Sequence, residues 1–272
     1  MSIERSRDIR AITACNRAAW NASATQHRES PEWRRLVEGF AVSGFSTLDA
    51  TLTAHLQGLP VAGRSAVQVG CNNGRELLSL GALGAHGLLG IDQSEAFLAQ
   101  AAELSGVVHR DAAFVCADVY ALPPNVPRDF ELALVTIGVL NWMPDLPGFF
   151  EAVAALLAPG GTLVVSETHP MLEMFEPGSA DPLELRESYF RNRPQVSEEA
   201  IVYDGTEAPI AGTSYWFPHT VGDVLNATIA AGLAIERFTE YPHSNREVDY
   251  AVYEGREAQL PMCYLLRAGK PG

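Results

Sequence analysis

Cysteine is scarce in this chain and scattered. Cys15, Cys71, Cys116 and Cys263 form no CxxC pair, and no histidine stands at metal-ligand spacing from any of them. A disulfide framework and a structural zinc site are thereby excluded, and no metal is expected. Basic residues are also few: 19 Lys and Arg face 33 Asp and Glu, a net charge of -14. The Arg34-Arg35 pair is too short to form a patch, so a nucleic-acid partner, which needs clustered Lys and Arg, is not expected. Long apolar runs are missing too. Leu132 to Leu140 is among the longest, well short of the roughly 20 residues that cross a bilayer. Met1 to Arg10 alternates charged with small apolar side chains and has no signal-peptide core. The expectation is a cytoplasmic protein with neither membrane nor nucleic acid as partner.

What is present is the composition of a soluble globular protein, 47% apolar and 19% charged, in 272 residues. Residues 1 to about 60 read as helical, with breaks near Ser30-Pro31 and Gly44, Ser30 capping a helix that Pro31 opens. From Ser65 short apolar strands alternate with helices: strands at Ser65–Val69, Leu88–Ile91, Ala113–Ala117, Leu132–Ile137 and Thr162–Ser166. Ser94 caps one intervening helix. Asp145 starts another that runs to Ala158 and is closed by Pro159-Gly160-Gly161. Continuously apolar strands separated by helices predict a parallel sheet covered on both faces, and right-handed crossovers make it doubly wound. Thr220 and Asp223 open a helix that Gly232 breaks, and strands at Leu233–Phe238 and Met262–Ala268 add an antiparallel pair at one sheet edge. Residues 167 to 217 do not fit the repeat. They carry Phe175, Tyr189, Phe190, Tyr203, Tyr215 and Trp216, and an excursion this long usually has its own function.

Ligands of open α/β sheets bind at the carboxyl ends of strands. Four such ends stand out: Gly70-Cys71-Asn72-Asn73-Gly74, Gly90-Ile91-Asp92, Cys116-Ala117-Asp118-Val119 and Thr136-Ile137-Gly138-Val139-Leu140-Asn141-Trp142. Gly70 permits a sharp turn and Gly74 a close approach of the helix start. Asp92 can accept from both hydroxyls of a ribose, and Asp118 from an adenine amino group. Taken singly, Asp92 is also a common helix-start charge and Asp118 a common turn residue.

In that order these motifs resemble the core of class I S-adenosylmethionine-dependent methyltransferases. The resemblance runs from Val67 to Glu167 and extends to the late strand pair: "VQVGCNNG", "GIDQS", "CADVY", "TIGVLNWMPD" and "LLAPGGTLVVSE". It implies a Rossmann-like, seven-stranded sheet over residues 64–272 with an antiparallel edge hairpin, an N-terminal helical lid over residues 1–63 and a substrate cap inserted at about 167–217. It implies S-adenosylmethionine as cofactor and S-adenosylhomocysteine as product. The cofactor-binding residues it implies are Gly70, Cys71, Asn72, Gly74, Asp92, Gln93, Asp118, Val119, Thr136, Gly138 and Asn141, with Trp20 of the lid. Trp20 and His27 would close over the methionine end, and Arg75 stands within reach of its carboxylate. Two residues depart from the pattern: Gln68 where an acid is usual, and Asn72 or Asn73 where a glycine is frequent. Asn tolerates the left-handed conformation better than most residues.

Methyl transfer from a sulfonium asks mainly for alignment and exclusion of water, with a general base only for acceptors of high pKa. His169, Glu167 and Tyr215 are the candidate catalytic residues. Tyr189, Tyr203 and Trp216 are candidates for the acceptor pocket, and His243 and Tyr241 could also face it. A long cap and an acidic surface favour a small-molecule acceptor, and a cap also suits a homodimer contact. Two other functions compete. One is a same-fold enzyme that cyclises, eliminates or transfers another alkyl group from S-adenosylmethionine itself, releasing methylthioadenosine. The other is a nucleotide-binding oxidoreductase, although Asn72 occupies the middle glycine of GxGxxG.

Overall fold

The computed structural model describes residues 3–201, 210–245 and 248–272. Three helices precede the first strand: α1 (Ile3–Glu29), α2 (Pro31–Phe40) and α3 (Ala50–Gln57). Ser30 caps α2 by accepting the Trp33 N–H, with Pro31 in the first turn. Along α1, Thr13, Asn16, Trp20, Ser23 and His27 recur every three or four residues and share one face. Much of that face is polar and is held by hydrogen bonds. Thr13 Oγ1 donates to Asp118 at 2.6 Å, Ser23 Oγ accepts the Ile201 N–H at 2.9 Å, and His27 Nε2 meets the Ile201 carbonyl at 2.7 Å.

The alternation expected from Ser65 onward is present as β1 (Ser65–Val69), α4 (Arg75–Ala82), β2 (His86–Asp92), α5 (Glu95–Val108), β3 (Ala112–Cys116), β4 (Phe130–Thr136), α6 (Leu146–Leu156) and β5 (Leu157–Thr168). After β5 come a separate hairpin, β6 (Gln195–Glu199) with β7 (Ile210–Trp216), then α7 (Val221–Ala230), β8 (Ala234–Tyr241) and β9 (Cys263–Gly269). The main sheet has seven strands in the order β3-β2-β1-β4-β5-β9-β8, and β9 runs antiparallel to both neighbours. The first five strands are parallel. The chain reverses direction across the sheet between β1 and β4, which sets a crevice at their carboxyl ends. Apolar residues pack on both faces. Val67, Val135, Phe149, Phe150 and Leu266 belong to one core cluster, and Leu56, Leu77, Leu134, Val164 and Leu265 to the other. Thr220 and Asp223, expected to open a helix, form a full capping box at its start.

Three local details differ from the sequence reading. Helix α6 stops at Leu156, and Pro159-Gly160-Gly161 lies inside β5 as an irregularity: Phe130 pairs with Leu157, but Leu132 next pairs with Thr162. The cause is the end of the chain. Gly160 (φ +77°) donates to the Lys270 carbonyl, Lys270 N donates to Gly161, and Lys270 Nζ closes the last carbonyls of α6. Asp145 sits at the start of α6, but its side chain makes no capping bond to the helix. The excursion is larger than its own residues. Leu172, Tyr253 and Met262 form a small separate core with Phe175 and Tyr250 against it, so the β8–β9 connection packs with the segment after β5.

Candidate cofactor and acceptor site

The turn after β1 is built from left-handed residues. Gly70 (φ +70°), Asn72 (φ 49°) and Gly74 (φ +74°) turn the chain over the sheet edge. A Cβ at Gly70 would lie 2.7 Å from Val139 Cγ2, so only glycine lets the fourth-strand loop approach this closely. Asp92, at the end of β2, ties the turn to the neighbouring strand. Its Oδ2 accepts the Asn72 N–H at 2.8 Å and its Oδ1 the Ser94 N–H at 2.9 Å. Burial raises the Asp92 pKa, and the backbone N–H bonds oppose that rise.

A cavity of about 1210 Å³ opens above these strand ends. Its floor includes Gly70, Asn72, Asp92, Gln93, Val119, Gly138 and Asn141. Trp20 of α1 closes one side, and Trp216, Glu173, Phe175, Arg191 and Tyr250 come from the excursion and the β8–β9 connection. Nine of the sequence-nominated residues therefore meet at one cavity: Trp20, Gly70, Asn72, Asp92, Gln93, Val119, Gly138, Asn141 and Trp216.

The others stand elsewhere. Cys71 is fully buried beneath the turn, and its burial pushes the thiol well up. Gly74 packs beside Ala101 and Phe114 at the start of α4. Asp118 does not line the cavity: its oxygens take the Thr13 hydroxyl and the Tyr120 N–H. Thr136 is buried and accepts from Gln68 Nε2 at 3.0 Å. Glu167 is 2% exposed, and its carboxylate receives the N–H groups of Gly138 and Leu140. It shapes the fourth-strand loop from behind.

His169 is 3% exposed. Its Nδ1 accepts the Met171 N–H at 3.1 Å and its Nε2 meets Glu240 at 2.9 Å, while burial lowers its pKa. The Tyr215 backbone is bonded to the Asn16 side chain. Strand alternation puts Tyr215 opposite its cavity-lining neighbours Ser214 and Trp216. His27, Tyr189, Tyr241 and His243 do not line the cavity either. His27 meets the Ile201 carbonyl, Tyr189 accepts the Val221 N–H, and His243 bonds Thr51. Arg75 is paired with Glu32 at 2.6 Å and Glu76 at 2.8 Å. Tyr203 lies outside the described residues.

Sequence reasoning passed over Glu173. Oε1 accepts from Asn141 Nδ2 at 2.7 Å and from Trp216 Nε1 at 3.2 Å, and Oε2 pairs with Arg191 at 3.2 Å. One carboxylate thus joins the fourth-strand loop, the hairpin and the excursion, and burial raises its pKa. Its signal was faint: a single acid four residues beyond His169. Among the described residues no group of three His, Cys, Asp or Glu is placed to hold a metal ion.

A switch-point crevice at the carboxyl ends of parallel strands is where doubly wound folds bind their ligands. Residues 67–165 match the family described as a methyltransferase domain. The chain matches no curated protein in sequence. In structure it is similar to an S-adenosylmethionine dependent methyltransferase from Mesorhizobium loti, at 27% identity over 81% of this chain and 98% of that one, TM-score 0.55. It is similar in fold to such a methyltransferase from Clostridium acetobutylicum, at 14% identity over 82% and 89% of the two chains, TM-score 0.55. It is likewise similar in fold to the 4+2 cyclase SpnF, at 20% identity over 81% and 80%, TM-score 0.53. Residues 67–165 therefore carry a methyltransferase domain on the fold of S-adenosylmethionine-dependent methyltransferases, which indicates S-adenosylmethionine as the cofactor. The donor set fits that molecule: the Asp92 carboxylate lines the cavity and suits a ribose diol.

Proposed function

We propose that this protein transfers the methyl group of S-adenosylmethionine to a small-molecule acceptor enclosed between the strand ends and the excursion after β5. The observation that carries this is the cavity. Its 1210 Å³ exceeds the roughly 300–1,000 Å³ typical of a single small-ligand site, so it holds the cofactor and leaves space for a second molecule. In this reading Asp92 takes the ribose, Gln93 and Val119 flank the nucleoside, and Gly70, Asn72 and Gly138 approach the remainder. Residues 1–63 act as a lid, and residues 167–217 as the cap that orients the acceptor.

The cofactor supplies a methyl group already activated on sulfur. The chain's part is to hold the acceptor in line and keep water out. His169, Glu167 and Tyr215 are turned away from the cavity, so alignment rather than proton transfer by any of them is the proposed contribution. A cytoplasmic place in small-molecule metabolism agrees with four free cysteines.

A different reaction on the same fold is the competing reading, and a cyclase shares the architecture. Mass spectrometry of S-adenosylmethionine incubations separates the two. S-adenosylhomocysteine formed only when a small-molecule acceptor is added supports methyl transfer. Methylthioadenosine released from S-adenosylmethionine alone refutes it.

A further inference from the structure

Three of the four tryptophans line the same cavity although they arrive from separate segments: Trp20 from α1, Trp142 from the loop after β4 and Trp216 from β7. They form a continuous series. Trp20 and Trp142 have ring centroids 5.3 Å apart at 67°, and Trp142 and Trp216 have centroids 5.1 Å apart at 89°. Both ends are fixed. Trp20 sits edge-on against Phe97 at 5.4 Å, and the Trp216 indole N–H donates to Glu173 at 3.2 Å. The orientation of each ring is thus set by its neighbours before any ligand enters.

The electrostatics of this wall point to a cation. Indole faces carry negative potential, and Trp is the strongest aromatic partner for a positive charge. Carboxylates line the same cavity: Asp92 on the floor, and Glu173, Glu176, Glu187, Glu199 and Asp249 beyond it, against the cations of Arg191 and Arg193. Glu173, across the cavity, already has Asn141, Trp216 and Arg191 as partners. Gln68, where an acid is usual, is fully buried. Its amide donates to Thr136, its Oε1 has no partner, and it does not reach the cavity.

We infer that Trp20, Trp142 and Trp216 form an aromatic wall that recognises the positive sulfonium. The wall binds the charged cofactor in preference to the neutral thioether left after its alkyl group departs. Product therefore leaves more readily than cofactor. This rests on the cofactor site proposed above.

The test is calorimetric titration of the whole protein and of Trp142→Leu, Trp142→Phe, Trp216→Leu and Trp216→Phe with S-adenosylmethionine and with S-adenosylhomocysteine. Circular dichroism checks that each variant is folded. The Leu variants should lose about fivefold or more in S-adenosylmethionine affinity and less than about twofold in S-adenosylhomocysteine affinity. The Phe variants, which keep a weaker π-face and pack in the same space, should fall between and decide the matter if a Leu variant does not fold. Equal weakening of both ligands makes the wall mere packing and overturns the inference while leaving the cofactor site standing. Failure of the unaltered protein to bind either ligand removes the site and the inference together.

Discussion

Asp92 faces the cavity with two backbone N–H groups already on its oxygens, so its remaining lone pairs are aimed where a diol would sit. Asp92→Ala should lower S-adenosylhomocysteine affinity by about 10- to 100-fold, the worth of charge-assisted hydrogen bonds, with Asp92→Asn intermediate. Burial also gives this carboxyl a raised pKa. Protonation therefore sets in at higher pH than for an exposed aspartate, and cofactor binding should weaken as pH falls toward that point. Folding has the opposite sign: the group favours the fold most below its unfolded pKa, and that contribution is lost as pH rises through the raised one. Titrations across mildly acidic pH check the first statement. Affinity that holds until the ordinary carboxylate range contradicts it. That Asp92 and Gly70 meet at the cavity was legible because glycine turns and strand-end acids have local spacing. That Glu167 and His169 lie outside it was not legible from position alone. His169 owes its orientation to Glu240, 71 residues further on, and no local pattern announces that partner.

At the scale of elements, the cavity walls are attached by few and identifiable bonds. Asn16 of α1 is fully buried and pairs with the free edge of β7, donating to the Tyr215 carbonyl at 3.1 Å and accepting its N–H at 2.7 Å. Asn16→Ala leaves two backbone groups unpaired and should cost about 2–4 kcal/mol. Denaturant melts should show the loss, and hydrogen exchange should quicken at Tyr215. Helix α7 offers a contrast. Its capping box lies on the exposed surface, so Thr220→Ala removes the cap without opening a cavity and should cost about 1 kcal/mol. A thermal melt shifted by a few degrees checks it. The main strands were legible from their apolar runs. The hairpin was not, because β6 reads Gln-Val-Ser-Glu-Glu and lies almost wholly exposed, with no buried face to impose alternation. The irregularity inside β5 depends on Lys270, more than a hundred residues away, and so leaves no local trace.

On the scale of the whole molecule, the sheet supplies a floor and three separate stretches of chain supply the walls. Those walls are α1, the segment after β5 with its hairpin, and the β8–β9 connection. Among the described residues no helix is long and apolar enough to cross a membrane. The cavity over Gly70 and Asp92 is proposed to bind S-adenosylmethionine and not a dinucleotide. Calorimetric titration of the protein with S-adenosylhomocysteine and with NAD, repeated on Asp92→Ala, tests it most directly. Saturable binding of S-adenosylhomocysteine at one site per chain, weakened by the substitution, and no binding of NAD are expected. Binding of NAD alone, or of S-adenosylhomocysteine with an affinity that Asp92→Ala leaves unchanged, would contradict it.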